Sequence, residues 1–445
     1  MYVVQKFSDY AIGTRAKSIP PEALHHAKRA VIDWYAALLP GAVVAPATLL
    51  EKALAEDLDR GNARLALGRK ASTRAAALIN GTAAHTVEVD DIFKFGIYHP
   101  GAPTIAAALA TAQTAGVSGE AFLRAVIVGY EISTRIGAAM GRAHYKYWHN
   151  TGTIGSFGAA SAAAEIFGLD AVRFSHALAT AATMAAALQQ AFRMDSMSKP
   201  LHAGHAAEAG VLAAAGAREG MTGSLDVIEG EAGMGRAMSD GPDWDKAVAT
   251  LGQVHHVAMM TFKNHACCGH TFAAIDGAQE AQRQLGAKPA DIAKVRVGSY
   301  RAAKEVSGYE DPKTPAEGRF SLKYVVATAL VHGSVRLAAF ESGRLQDPVT
   351  RALMKKIEVV IDPELDASFP SQRAARVAIE TTDGRRVEYL QPARKGDPEL
   401  PLTDRDLEDK YLELAAPVLG DATARSLVAK LWQLEALPNV NDALA

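Results

Sequence analysis

The sequence predicts a mainly α-helical large domain of Ala-rich antiparallel helices joined to a smaller α+β domain, and three observations carry that prediction. Helical periodicity recurs from Pro21 to Gly223. Strand-like alternation is confined to runs between Lys294 and Leu390, and helical periodicity resumes after Pro401. At 445 residues the chain also exceeds what one core usually organises. The expected division is 1–265, with 399–445 returning to it, and 266–398 as the α+β part.

Taken in order, Pro21 to Leu39 repeats apolar residues at Leu24, Ala27, Ala30, Val31, Trp34 and Leu38, with Pro20-Pro21 as start and Pro40-Gly41 as stop. Helices are expected over Pro46 to Asp57, Ala71 to Val89, Pro103 to Ala115, Gly119 to Met140 and Leu169 to Gln190. Small residues from Gly155 to Ala164 suit a helix that approaches its neighbours closely. The run SKPLHAGHAAEAGVLAAAGAREGMTG, from Ser198 to Gly223, is so rich in Ala and Gly that it is expected to be central and buried. KVRVGSY, KIEVVIDPEL and RVAIETTDGRRVEYL alternate like strands, with a hairpin turn at Thr382-Asp383-Gly384, and FSLKYVVATALVHG between them reads as a helix. Two last helices, Asp404 to Leu419 and Asp421 to Leu437, are expected to rejoin the first domain.

Composition excludes several function classes. Net charge is -2 and 49% of residues are hydrophobic, so there is no basic field for nucleic acid. The two cysteines, Cys267 and Cys268, are adjacent and cannot form a disulfide framework; a reducing compartment is expected. The N-terminal stretch has no charged leader before an apolar core, and no run reaches about 20 strongly apolar residues. The expectation is a cytoplasmic protein without a membrane partner.

Phosphate loops, HExxH and GxSxG motifs are missing, so the chemistry must come from acid and base groups at helix ends. The insert GTAAHTVEVDDIFKFGIYHPGAP breaks two Ala-rich helical runs with Asp90, Asp91, Lys94, Tyr98 and His99. Polar groups placed there are costly unless satisfied or employed. Asp90 or Asp91 alone could be a cap or turn former, and His99 a packed loop histidine. Pro200 fits the first helical position, which puts Lys199 at the N-cap, facing the positive end of the helix dipole. A cation is disfavoured there, and the expected downward pKa shift is the one a lysine base needs; a solvated lysine beside a proline is the alternative. KNHACCGH at 263–270 and the pair His202 and His205 could hold a metal, but adjacent cysteines and a lone i,i+3 histidine pair are poor ligand spacings. No metal and no cofactor is expected. Tyr324, in an apolar helix, would ordinarily be core.

The stretches NGTAAHTVEVDD with HPGAP, WHNTGTIGSFGAASAAA, SKPLHAGHAAEAG, KNHACCGHTFAAIDGA and FSLKYVVATAL together closely resemble the MmgE/PrpD family, in the family's order across most of the chain. That resemblance implies a large helical domain plus a smaller α+β domain, a homodimer formed through the helical part, and a small di- or tricarboxylate substrate. Carried over residue by residue, it implies site roles for Asp91, His99, His149, Lys199, Lys263, His270 and Tyr324. Tyr145 joins them on spacing alone, one helical turn before His149.

The family's reactions need cations and donors to hold the charge of a developing enolate and a base within hydrogen-bond reach. KNHACCGHT is similar to the branch containing iminodisuccinate epimerase. A cofactor-independent epimerase is therefore expected, with Lys199 and an opposing Tyr145 or His149 exchanging the α-proton. Asp91, His99, Lys263, His270 and Tyr324 are expected to bind substrate. The alternatives are a lyase of the 2-methylcitrate dehydratase or cis-aconitate decarboxylase kind, and a non-catalytic dicarboxylate-binding protein.

Overall fold

The structure, a computed structural model, describes residues 1–192, 196–369 and 371–442. The chain separates into two compact units, Met1–Thr261 with Thr403–Ala445, and Phe262–Leu402. Boundaries drawn from sequence at 265/266 and 398/399 lie slightly inside the second unit. Thr261 forms an isolated bridge with Ile92, whereas the Phe262 amide donates to the Gly396 carbonyl, so the chain changes unit between these two neighbours.

The first unit is helical. Pro21–Ala42 opens with proline at its first position, where the missing N–H is not needed, and buries most of its second half. It runs through Pro40 rather than stopping there, because a proline in the last turn forfeits only one main-chain bond. Ala47–Ala53 and a short 3-10 turn at Ala55–Asp57 replace the longer helix expected there. They lead into a small hairpin, Leu58–Arg64 with Lys70–Ala71, which sequence reading missed. Its LDRGNAR strand leaves four consecutive residues exposed, so no period-two apolar pattern marks it.

Ser72 caps Thr73–Ala84 by accepting from the Ala75 amide, and Ser118 caps Gly119–Tyr145 by accepting from Ala121. The latter helix kinks at Gly141, where φ is 64°. Ser198–Arg218 packs against Thr73–Ala84, Gly155–Ile166, Ala171–Met184 and Gly101–Ala115, the central position its composition predicted. The approach is close enough to demand glycine: a Cβ on Gly204 would strike the Leu78 carbonyl oxygen and the Thr82 hydroxyl. Asp404–Leu419, started by a Thr403/Asp406 capping box, packs along Pro21–Ala42, and Asp421–Leu431 follows it.

In the second unit four strands form one sheet in the order Ile357–Ile361, Ile292–Ser299, Ala375–Thr381, Arg386–Gln391. The first pair is parallel and the other two are antiparallel, with Val295 opposite both Ile357 and Ile379. Val295, Val297, Val377 and Ile379 are fully buried. Phe272–Leu285 packs against the last two strands and against Leu322–His332. Among the described residues no single helix is long and apolar enough to cross a membrane.

Candidate active site

The polar insert between Thr73–Ala84 and Gly101–Ala115 is tightly held. Glu88 and Ile97 carry positive φ angles of 63° and 52°. That backbone is uncommon outside glycine and is an outlier for a β-branched residue, so the surroundings must impose it. Phe93 and Tyr98 bridge the ends of a short loop, and the Tyr98 hydroxyl donates to Ser133 at 2.9 Å. Asp91 clamps the insert to two helices, its Oδ1 accepting the Gly101 amide at 3.0 Å and its Oδ2 the Tyr130 hydroxyl at 2.7 Å. A Cβ on Gly101 would lie 2.7 Å from that hydroxyl and 2.9 Å from the carboxylate, so the contact requires glycine. Burial, reinforced by the Asp33 carboxylate, pushes the Asp91 carboxyl up to about 8. Both oxygens of Asp91, a residue expected to bind substrate, thus accept hydrogen bonds that hold the fold. Lys410, from the returning Asp404–Leu419 helix, completes the clamp at 2.5 Å from Asp33 Oδ1 and 2.7 Å from the Val89 carbonyl oxygen.

Asp90, the neighbouring carboxylate, faces an imidazole group instead. Its Oδ2 accepts from His85 Nδ1 at 2.7 Å and lies 3.1 Å from His99 Nδ1. Burial opposes ionisation of Asp90, yet His99 and His85 outweigh it and hold the carboxyl well below the usual carboxylate range. An ionised Asp90 accepts only, so His85 must donate from Nδ1 and carry a lone pair on Nε2. That Nε2 is buried and has no hydrogen-bond partner among the described residues.

The rings continue from there. His85 meets His99 edge-on at 4.7 Å and stacks on His149 at 5.3 Å; His149 Nδ1 is 3.1 Å from His202 Nδ1. Burial pushes His85 and His202 down to about 4 and His149 well below its ordinary value, with Lys199 adding to the effect at each. These imidazoles are therefore neutral near pH 7, able to donate from one nitrogen and accept at the other.

Lys199 borders the group, its Nζ 5.4 Å over the Phe192 ring, which itself packs edge-on against His149 at 4.7 Å. It sits within the first turn of Ser198–Arg218, after an N-cap at Met197, and its ammonium is ion-paired with Glu88. It is thus not the isolated cation at a helix N-cap that the base role assumed. Tyr145 ends the Gly119–Tyr145 helix, and no hydrogen bond or ring contact joins it to His149 among the described residues. The one-turn spacing fails because the helix ends at Tyr145 and a turn intervenes before His149, which caps the next helix.

Of the eight site residues expected from sequence, the first unit thus brings together His99, His149 and Lys199. Reading the sequence missed His85 altogether, and named Asp90 and His202 only as candidates. The helix expected over Ala71 to Val89 makes His85 an interior residue; no Pro announces the actual end at Ala84.

In the second unit His270 Nδ1 lies 2.9 Å from the Tyr300 hydroxyl, and burial with Arg373 and Arg394 nearby pushes it down to about 4. Lys263 is buried. The Tyr324 ring, expected to bind substrate, is fully buried and its hydroxyl donates to the Ala339 carbonyl. KNHACCGH does not converge on a common point: Cys267 faces Thr271, His265 faces Asp276, and His270 faces Tyr300.

The MmgE/PrpD N-terminal domain matches residues 5–247 and the MmgE/PrpD C-terminal domain matches residues 265–434. A cis-aconitate decarboxylase-like protein of Aspergillus oryzae is 27% identical over 472 aligned residues, spanning 100% of this chain and 96% of that protein. Cis-aconitate decarboxylase of Homo sapiens is 28% identical over 372 residues, 81% of this chain and 76% of its own. A 2-methylcitrate dehydratase of Escherichia coli is 32% identical over 129 residues, 27% of each chain. All three are named for the lyase alternatives, and none of the three for the epimerase reaction expected from KNHACCGHT.

Proposed function

Because the chain belongs to the MmgE/PrpD family, with both of its domains present in order, we propose that it is a cofactor-independent lyase that decarboxylates a small tricarboxylate of the cis-aconitate kind. The observation that carries the chemistry is the buried imidazole group of His85, His99, His149 and His202 around Asp90, with Lys199 at its border. End-to-end similarity to a decarboxylase-like protein supports this reaction over dehydration, for which the likeness covers between 27% and 39% of the chain.

Loss of carbon dioxide from a carboxylate one carbon away from a C=C bond needs no external electron sink. The C–C bond to the leaving carboxylate breaks, its electron pair forms a new C=C bond, and the pair of the old double bond moves to the far carbon. A proton completes that carbon. Two things are then required of the protein: cations and donors for the remaining carboxylates, and one well-placed acid.

Lys199 can exchange Glu88 for a substrate carboxylate, and the His85 and His99 rings are fixed by Asp90. His149 and His202, 3.1 Å apart through their Nδ1 atoms, can hold a proton between them and deliver it. Bringing a tricarboxylate beside neutral imidazoles favours their protonation, so substrate arrives with the acid it needs. For the two-base epimerase reading this leaves His149 rather than Tyr145 as the group opposing Lys199, and Lys199 is ion-paired with Glu88.

The test is NMR in D2O with cis-aconitate, 2-methylcitrate and iminodisuccinate offered separately. The expected result is release of carbon dioxide from cis-aconitate, with one deuterium in the product at the carbon that gained the proton. His149→Gln is expected to lower kcat by about 10²–10⁴-fold, the usual worth of a positioned acid. Water loss from 2-methylcitrate with no decarboxylation would assign the chain to the dehydratases, and deuterium exchange into iminodisuccinate alone would restore the epimerase.

A further inference from the structure

We propose that His85, Asp90 and His99 form a binding site for a divalent first-row transition-metal ion, of which Zn2+ is the natural probe. One ligand atom from each of the three lies within 4.8 Å of the others, and His85 and Asp90 are buried while His99 is 15% exposed and gives access. Two imidazoles and a carboxylate are the donor set that borderline ions such as Zn2+, Co2+ and Ni2+ prefer over Mg2+ or Ca2+.

The geometry is near what such an ion needs. Ligand atoms held at roughly 2.1 Å from a tetrahedral centre are about 3.4 Å apart. The two Nδ1–Oδ2 separations, 2.7 and 3.1 Å, have to open by about 0.7 and 0.3 Å to admit the ion in place of the proton that His85 now donates. A second, independent observation points the same way. His99 Nδ1, the nitrogen that faces Asp90 Oδ2, is buried without a hydrogen-bond partner among the described residues, and an orphaned buried nitrogen of this kind marks a place where an ion or ordered water belongs.

Three protein ligands leave a coordination position open, so the ion could be reached by an anionic ligand from solvent. A bound metal would also claim the lone pairs and the proton that hold His85 and His99 in place. It would therefore block the lyase reaction, and that consequence rests on the functional reading above. The binding itself does not.

The experiment uses the full-length protein, freed of metal by chelation, without any substrate. Zn2+ is titrated against a chromophoric chelator, and the same protein is titrated with Co2+ and followed by visible absorption. One Zn2+ per chain is expected, with affinity lowered by at least about 100-fold in His85→Asn and in His99→Asn. His332→Asn, which alters a His–Asp contact in the other unit, is the control and keeps the affinity. Intense tetrahedral Co2+ bands on the unaltered protein support the site even where a variant fails to fold. Absence of saturable Zn2+ binding, affinity unchanged in both ligand variants, or the spectrum of hydrated Co2+ alone would each overturn it. Decarboxylation is assayed separately, so failure of the lyase reading leaves the metal result standing and the reverse also holds.

Discussion

Asp90 and Asp91 are adjacent in the chain and opposite in behaviour. Asp90 stays ionised because His99 and His85 outweigh the cost of burial, whereas Asp91 is driven up to about 8 by burial and Asp33. One carboxylate therefore orients imidazoles, and the other ties the insert to the Gly101 amide and the Tyr130 hydroxyl. Asp90→Asn should leave the fold in place, since an amide oxygen can still accept from His85, but it removes the charge that fixes the ring. A fall in kcat of about 10²-fold with a smaller change in KM is expected from steady-state kinetics on cis-aconitate. Unchanged kcat would remove Asp90 from the site. The residue types at this site were legible in the sequence, since a DD pair and a His-Pro step between helical runs stand out. Their roles were not. Which carboxylate meets the histidines depends on the φ of Glu88 and Ile97, and no residue type at either position signals a left-handed backbone.

At the scale of elements, the insert is held from a distance in sequence. The returning helix Asp404–Leu419 places the Lys410 ammonium between Asp33 and the Val89 carbonyl, and the side chains of Lys410 and Asp33 are each only 1% exposed. Removing one partner of a buried pair strands the other charge. Lys410→Met is therefore expected to destabilise the first unit by about 3–5 kcal/mol, while Lys410→Met combined with Asp33→Asn recovers part of that loss. Chemical denaturation of the two variants decides it, and equal stability of the double and single variants would deny the coupling. Helix patterns made the returning segment visible from composition alone, because its capping box and apolar repeat are local. What could not be seen was its cargo: a lysine in a charged helix reads as solvated until the packing partner is known. The Leu58–Arg64 hairpin stayed hidden for a related reason, its strand having almost no buried face to leave a pattern.

For the whole molecule, buried histidine is the dominant pH-sensitive feature. His85, His144, His202 and His256 in the first unit and His270 in the second are all pushed down to about 4, in each case chiefly by burial. An unfolded chain binds protons at these rings near pH 6.5, and the folded one only near 4, so between those values unfolding takes up protons. Stability from this source is full above about 6.5 and falls as pH drops towards 4. Asp91 acts with the opposite sign, because its raised carboxyl makes folding take up a proton between about 4 and 8 and so weakens the fold as pH rises through that range. The lowered rings, to which His26 and His149 add, outnumber the raised carboxyls of Asp91 and Glu131 and leave acid destabilisation in command below about pH 6.5, with a shallow loss between there and pH 8. Calorimetry is expected to give a melting temperature lower at pH 5 than at pH 7 by more than about 5 °C. His144→Gln, which removes one buried ring away from the Asp90 group while retaining a donor for Met238 or an acceptor for Thr153, should flatten the acid limb. A profile level from pH 7 to pH 5 would mean that these rings keep their ordinary proton affinity. The neutral imidazole acid–base pair of the active site would then have to be abandoned along with it.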